Sequence, residues 1–169
     1  TLTDLRDNQV YKTVTIGTQT WMADNLNYSM DGSMCGGSSK DCATYGRLYN
    51  WNAAQSACPD GWHLATLDEW NSFICMLDNG NCISYETGLR KEVSNSGQNN
   101  TAINAIRTVG KWSKNSESTN TAGFSAVPAG FGTDPNATAG YTDWNIFWAD
   151  GHCGNNDVGC HIQLTDTQF

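Results

Sequence analysis

Six cysteines fall into three pairs with one spacing: Cys35 and Cys42, Cys75 and Cys82, Cys153 and Cys160, each with six residues between. The intervening segments, GGSSKD, MLDNGN and GNNDVG, are loop-forming and short enough to let the two sulfurs meet, so three local disulfides are expected. Zinc would need four ligands at closer spacings such as C-x2-C, which the chain lacks. Each closed loop is modest, worth about 2–3 kcal/mol at best. Persistent disulfides imply an oxidising compartment. Cys58 is left over, either bonded to a cysteine beyond residue 169 or a buried thiol. As a nucleophile it lacks a neighbouring histidine motif.

The histidines give little chemistry. His63 lies between Trp62 and Leu64 and reads as a structural histidine, while His152 and His161 bracket the third cysteine pair. Asp143, Asp150, Asn155 and Asp157 could offer oxygens to calcium, the one cofactor these residues could take, but their spacing matches no calcium loop. The expectation is no metal and no cofactor. Hydrolase elbows, zincin helices, Walker loops and dinucleotide fingerprints do not occur, and catalysis is not expected.

Recognition chemistry is better represented. Tyr141, Trp144, Phe147 and Trp148 interleave with Asp143, Asn145 and Asp150, pairing aromatic faces with orienting polar groups. The Asn-rich segment 154–159 adds an adaptable hydrogen-bonding edge. Tyr141, Trp144, Asn145, Trp148, Asp150, Asn155, Asn156 and His161 are therefore the candidate ligand-binding residues, and their exposure is what this assignment requires.

Several elements must position them. Val10 to Ile16 alternates with period two and turns at Gly17-Thr18-Gln19 into Thr20-Trp21-Met22, predicting a hairpin. Trp51 to Ala57 suits a short helix stopped by Cys58-Pro59-Asp60-Gly61. Trp62-His63-Leu64 reads as a short strand. Thr66 and Glu69 form a capping box for a helix whose face is Leu67, Trp70, Phe73, Ile74 and Leu77. A weaker helix covers Thr101 to Thr108 on Ile103, Ile106 and Val109, after a surface loop from Asn95 to Thr101. Beyond Gly110 the texture is strand and turn, with a polar loop up to Gly140, an aromatic strand through Trp148 and a last strand at His161-Ile162-Gln163-Leu164.

The chain has 169 residues, nine Lys+Arg against seventeen Asp+Glu, and a net charge of −8. That length supports one domain able to bury roughly 68–70% of its unfolded surface. Nine scattered cations make no basic stripe, which argues against nucleic acid, and no apolar run approaches a membrane span.

Asp4 to Val14, Ile16-Gly17-Thr18-Gln19-Thr20-Trp21-Met22-Ala23-Asp24-Asn25-Leu26-Asn27-Tyr28, Tyr45-Gly46-Arg47-Leu48-Tyr49-Asn50-Trp51, Cys58-Pro59-Asp60-Gly61-Trp62-His63-Leu64, Gly123-Phe124-Ser125-Ala126-Val127-Pro128-Ala129-Gly130 and Phe147-Trp148 resemble, in the same order, the Fibrobacter succinogenes major paralogous (FISUMP) domain. The resemblance implies a C-type lectin-like α+β fold, with two helices flanking a small antiparallel sheet and long disulfide-stapled loops, as one domain over 1–169. It also implies secretion or display at a cell or virion surface. It implies a binding or adhesion module rather than an enzyme, for a protein or cell-surface ligand or, alternatively, a carbohydrate-binding adhesion module of a polysaccharide-degrading bacterium. Trp21, Trp51, Trp62 and Trp70 correspond to family core positions. Two departures stand out: Ala149-Asp150-Gly151-His152 follows Phe147-Trp148 where the family has a Ser-Ser-Thr-like strand, and a last strand carrying Arg-Cys, whose cysteine would pair with Cys58, is not found before Phe169. The altered region is where variable proteins of diversity-generating retroelements, similar in fold, carry diversified residues. A loop-rich scaffold tolerates such exchange because its core lies elsewhere.

Overall fold

A computed structural model describes the chain except residues 37–40, 78–90, 95–99, 113–117, 135–136, 140–143, 153–158 and 166–169, and gives backbone alone at 91–94, 100, 131–134, 137–139, 144, 152, 159 and 163–165. β1 (Leu2–Thr3) pairs antiparallel with β2 (Val10–Tyr11). The reversal between them is locked by Asp4, 1% exposed, whose carboxylate accepts from the Arg6 guanidinium at 2.9 and 2.7 Å and from the Arg6 amide at 3.0 Å. Arg6 also donates to the Ala57 carbonyl at 2.8 Å and lies 3.8 Å over the Tyr28 ring, tying the N-terminus to the end of α2 (Trp51–Ala57).

The Arg6 side chain holds the Asp4 carboxyl below the ordinary carboxylate range, and burial only partly offsets this. Because the folded state binds that proton less well than the unfolded chain, the contribution is complete above the ordinary aspartate pKa and is lost as pH falls through the lowered one. Asp4→Asn is expected to cost about 1.5–3 kcal/mol at neutral pH, measured by urea unfolding, with the gap to wild type closing below about pH 4. A gap unchanged down to pH 2 would contradict this reading.

The predicted hairpin is present as β3 (Thr13–Ile16) and β4 (Gln19–Met22), turning at Gly17 with φ 62°. Val10 and Tyr11 leave that strand to pair with β1 instead. β5 (Ser33–Cys35) pairs with β6 (Arg47–Tyr49), and the four-residue α1 (Cys42–Tyr45) lies between them. Asp41 caps α1 by accepting from the Ala43 and Thr44 amides, and the Cys35–Cys42 disulfide spans 4.6 Å between Cα atoms. Cys75 and Cys160 are also disulfide-bonded. Cys82 and Cys153, their expected partners, lie outside the described residues.

α2 starts where Asn50 accepts from the Ala53 amide at 2.9 Å. α3 (Leu67–Leu77) carries the predicted capping box in both directions: the Glu69 amide donates to Thr66 Oγ1 at 3.2 Å, and Glu69 Oε2 accepts from the Thr66 amide at 2.8 Å. Its apolar face buries Trp70, Phe73 and Ile74. β7 (Lys91–Ser94), α4 (Asn100–Ile106), β8 (Phe131–Asp134), β9 (Ala137–Ala139), β10 (Trp144–His152) and β11 (Gly159–Thr165) follow. β10 and β11 form an antiparallel hairpin in which Trp148 faces His161, and β11 pairs parallel with β7, giving the order β10-β11-β7.

The fold is mixed α+β, and it corrects the sequence reading at several points. Four helices are described rather than two flanking ones: the weaker helix expected over Thr101 to Thr108 is present as α4, and α1, which starts at the closing cysteine of the first disulfide, is too short to show periodicity. The largest sheet contains a parallel pair, which strand patterning does not encode. Residues 62–64 form no strand: the Trp62 amide turns back to the Pro59 carbonyl, and pairing nearby is confined to a bridge between Thr66 and Asp150. The polar loop before Gly140 contains the β8–β9 hairpin. Val109, expected on the α4 face, is 60% exposed because the helix stops at Ile106 and Thr108 donates to the Ala126 carbonyl.

The core gathers around α3. Trp21, Trp70, Phe73 and Phe124 contact one another at centroid distances of 4.7 to 6.1 Å, and Ile103, Ile106, Trp112 and Ile162 are fully buried beside them. Trp112, placed by no pattern, donates its indole N–H to the Ala126 carbonyl at 3.0 Å. Trp51 and Trp62, expected in the core, are only half-buried.

Candidate ligand-binding cleft

A cleft of about 790 Å³ opens between β4 with its continuation to Leu26, β6, the 61–65 segment, the start of α3 and the β10–β11 hairpin. This lies within the range of small-ligand pockets. Its lining brings together stretches far apart in sequence: Trp21 to Leu26, Arg47 to Tyr49, Gly61 to Ala65, Gly130, and Asn145 to Trp148. Trp21, Trp62, Trp70, Phe147 and Trp148 contribute aromatic rings.

Strand geometry places the β10 contribution. Trp148 packs at 5.5 Å from Trp51 and at 5.9 Å, edge to face, from His161 across the hairpin. Its indole N–H donates to the Tyr49 carbonyl at 2.6 Å, joining β10 to β6. Phe147, on the other face, reaches Trp70 and Phe124 at 5.3 and 5.7 Å. The adjacent pair thus splits between the core and the cleft margin, as strand alternation requires.

Of the eight sequence candidates, Asn145, Trp148 and His161 line this cleft. Asn145 departs from the expected exposure: it is 2% exposed, at the bridge between β10 and Gly130, so it belongs to the depth of the cleft. Trp148 and His161 are half-buried, and Asp150 is exposed beside Thr66. Trp144 is described by its backbone alone, and Tyr141, Asn155 and Asn156 lie outside the described residues, as do Asp143 and Asp157 of the calcium candidates. Among the described residues no cluster of three metal-ligating side chains occurs.

Polar groups at the margin are partly committed. His63 Nε2 lies 2.9 and 3.0 Å from the two Glu69 carboxylate oxygens. Burial alone would raise the Glu69 carboxyl, but the Thr66 amide, the His63 ring and the Thr66 hydroxyl together hold it below the usual range. Others are uncommitted: Arg47 Nε, Trp70 Nε1 and Asn145 Nδ2 are buried at the cleft without a hydrogen-bond partner. Sequence reading missed Arg47, Trp62, His63, Glu69 and Trp70 as lining residues. Nothing in a linear pattern says that a hairpin, an internal strand and a loop share one wall.

A family model described as the Fibrobacter succinogenes major domain matches residues 14–159. The chain belongs to this family. No curated protein and no solved structure matches it. In this Fibrobacter succinogenes major domain, stretches that carry the resemblance, Trp21 to Leu26, Arg47 to Tyr49, Gly61 to Leu64 and Phe147-Trp148, all border the cleft. Cys58 of the domain is a free, half-buried thiol, and burial pushes its pKa up while the Arg6 charge acts more weakly in the other direction. Iodoacetamide is expected to label Cys58 at least about tenfold more slowly in the native domain than in urea, since the thiolate is the reacting form. Equal rates would revive Cys58 as a nucleophile.

Proposed function

We propose that this domain is a non-catalytic recognition module of C-type lectin-like fold, secreted or displayed at a cell or virion surface, that binds a protein or cell-surface ligand around the β10–β11 hairpin. The observation that carries the reading is the aromatic cleft with buried N–H donors lacking partners, because such donors cost about 1–3 kcal/mol each unless something accepts from them. Bonded Cys35, Cys42, Cys75 and Cys160 support an oxidising location. On this reading the region from Tyr141 to His161 is a variable-type surface of the kind that a diversity-generating retroelement rewrites. A carbohydrate ligand is the second reading, favoured by the half-exposed rings of Trp62 and Trp148, which suit stacking on a sugar.

The test is to array the purified domain against glycans and against surface proteins and displayed peptides, and to repeat each hit with Trp148→Ala after circular dichroism has verified its fold. Binding weakened at least tenfold by Trp148→Ala, with the ligand recovered unaltered, is expected. Chemical conversion of the ligand, or undiminished binding by the variant, would sink the proposal.

A further inference from the structure

Among the described residues β10 is an edge strand. On one side it pairs with β11; on the other, described residues touch it in two bridges, Gly130 with Asn145 and Thr66 with Asp150. Between those bridges residues 146–149 have no bridge partner on that side among the described residues, a span of roughly 13 Å at strand rise. The Asp150 amide points outward, donating to the Ala65 carbonyl at 2.9 Å. The β10–β11 register shifts between Ala149 and His152, so within 146–149 strand alternation turns one alternate pair of main-chain groups, Ile146 and Trp148 or Phe147 and Ala149, to that outward side. The cleft lies along this interval: Ile146, Phe147 and Trp148 line it, and Ala65 and Gly130 mark its ends.

An open strand edge is a template for another strand. Main-chain pairing supplies affinity in such complexes, and pockets for alternate side chains supply selectivity. The cleft offers both. Its apolar surface includes Trp21, Leu48, Phe124 and Phe147, and its three unmatched buried donors, Arg47 Nε, Trp70 Nε1 and Asn145 Nδ2, call for acceptor oxygens such as peptide carbonyls. A sugar ring would satisfy donors too, but it has no use for the strand edge.

We propose that the cleft takes an extended polypeptide segment of a partner protein, with apolar residues at alternate positions, added as a strand beside Ile146 to Ala149. This rests on the recognition-module reading and names its ligand class.

The probe is a heptapeptide library displayed on phage and selected on the whole domain, followed by synthetic peptides of the selected sequences. Alternating apolar sequences with micromolar affinity are expected. N-methylation of alternate peptide amides should weaken binding at least tenfold, and hydrogen exchange at one alternate pair of amides within 146–149 should slow at least tenfold in the complex. Trp70→Phe, which keeps a ring but removes the indole donor, should weaken binding several-fold without unfolding the domain. N-methylation without effect, or exchange unchanged at every amide from 146 to 149, would overturn strand addition. Loss of peptide binding when the chain is extended past Phe169 would overturn the partner as source. Oligosaccharide binding in the same cleft, with no peptide selected, would overturn the ligand class while leaving the recognition module standing. Binding of neither would remove both.

Discussion

Trp70→Ala is expected to remove about 3–5 kcal/mol of stability, the range for truncating a large buried aromatic side chain. At this chain length that corresponds to a fall in Tm of roughly 10 °C. Trp70 is 3% exposed, and its ring meets Trp21 at 4.8 Å, Phe147 at 5.3 Å, Phe73 at 5.5 Å and Phe124 at 5.9 Å. These four rings come from β4, β10, α3 itself and the segment before β8, so one truncation loosens the contacts by which α3 organises the core. Aromatic pairs of this kind add about 0.5–1.5 kcal/mol each beyond area burial. Trp70→Phe should cost far less, about 1–2 kcal/mol, because most ring contacts persist and a buried N–H without a partner is removed. Urea denaturation of the two variants checks the argument. A cost below about 1.5 kcal/mol for the alanine variant would mean that Trp70 is not the centre of the cluster.

The burial of Trp70 is legible in the sequence. The capping box at Thr66 and Glu69 fixed where α3 begins, and its i, i+3, i+4 face placed Trp70 inward. The β3–β4 hairpin and the β10–β11 strands were equally readable, because alternation and turn residues are local signals. The cleft was not. Its walls join Asn25, Arg47, Trp62 and Asn145 across intervals far longer than any periodicity, and the aromatic content that marks a binding surface also marks a core. Asn145 shows the limit: polar and beside Trp144, it reads as surface, yet the bridge to Gly130 draws it inside. Val109 fails for the converse reason, continuing a helical spacing past the point where Arg107 joins a bridge to Ala126.

Gly46→Ala is the second large effect expected, and it acts on the cleft wall rather than the core. Gly46 caps α1 with φ 69° and ψ −155°, a region that is essentially glycine-only and costs other residues about 1–3 kcal/mol. Space adds to the strain. A Cβ there would lie 2.5 Å from Asn25 Cβ and 3.0 Å from the carbonyl oxygens of Asn25 and Leu26. The crowding is built into the wall, since Asn25 Nδ2 donates to the Tyr45 carbonyl at 2.9 Å and the Arg47 amide donates to the Leu26 carbonyl at 2.9 Å. Relieving the clash must therefore push the 25–26 segment away from β6, breaking one or both bonds and displacing Arg47. A loss of about 3 kcal/mol or more is expected, together with weakened ligand binding. Gly61→Ala is the matched control: its φ is 80°, but a Cβ there would meet nothing within 4 Å. It should cost only about 1 kcal/mol, the left-handed penalty alone. If the two variants unfold at the same urea concentration, close packing at Gly46 is not what holds the wall, and the cleft must be shaped from the β10 side.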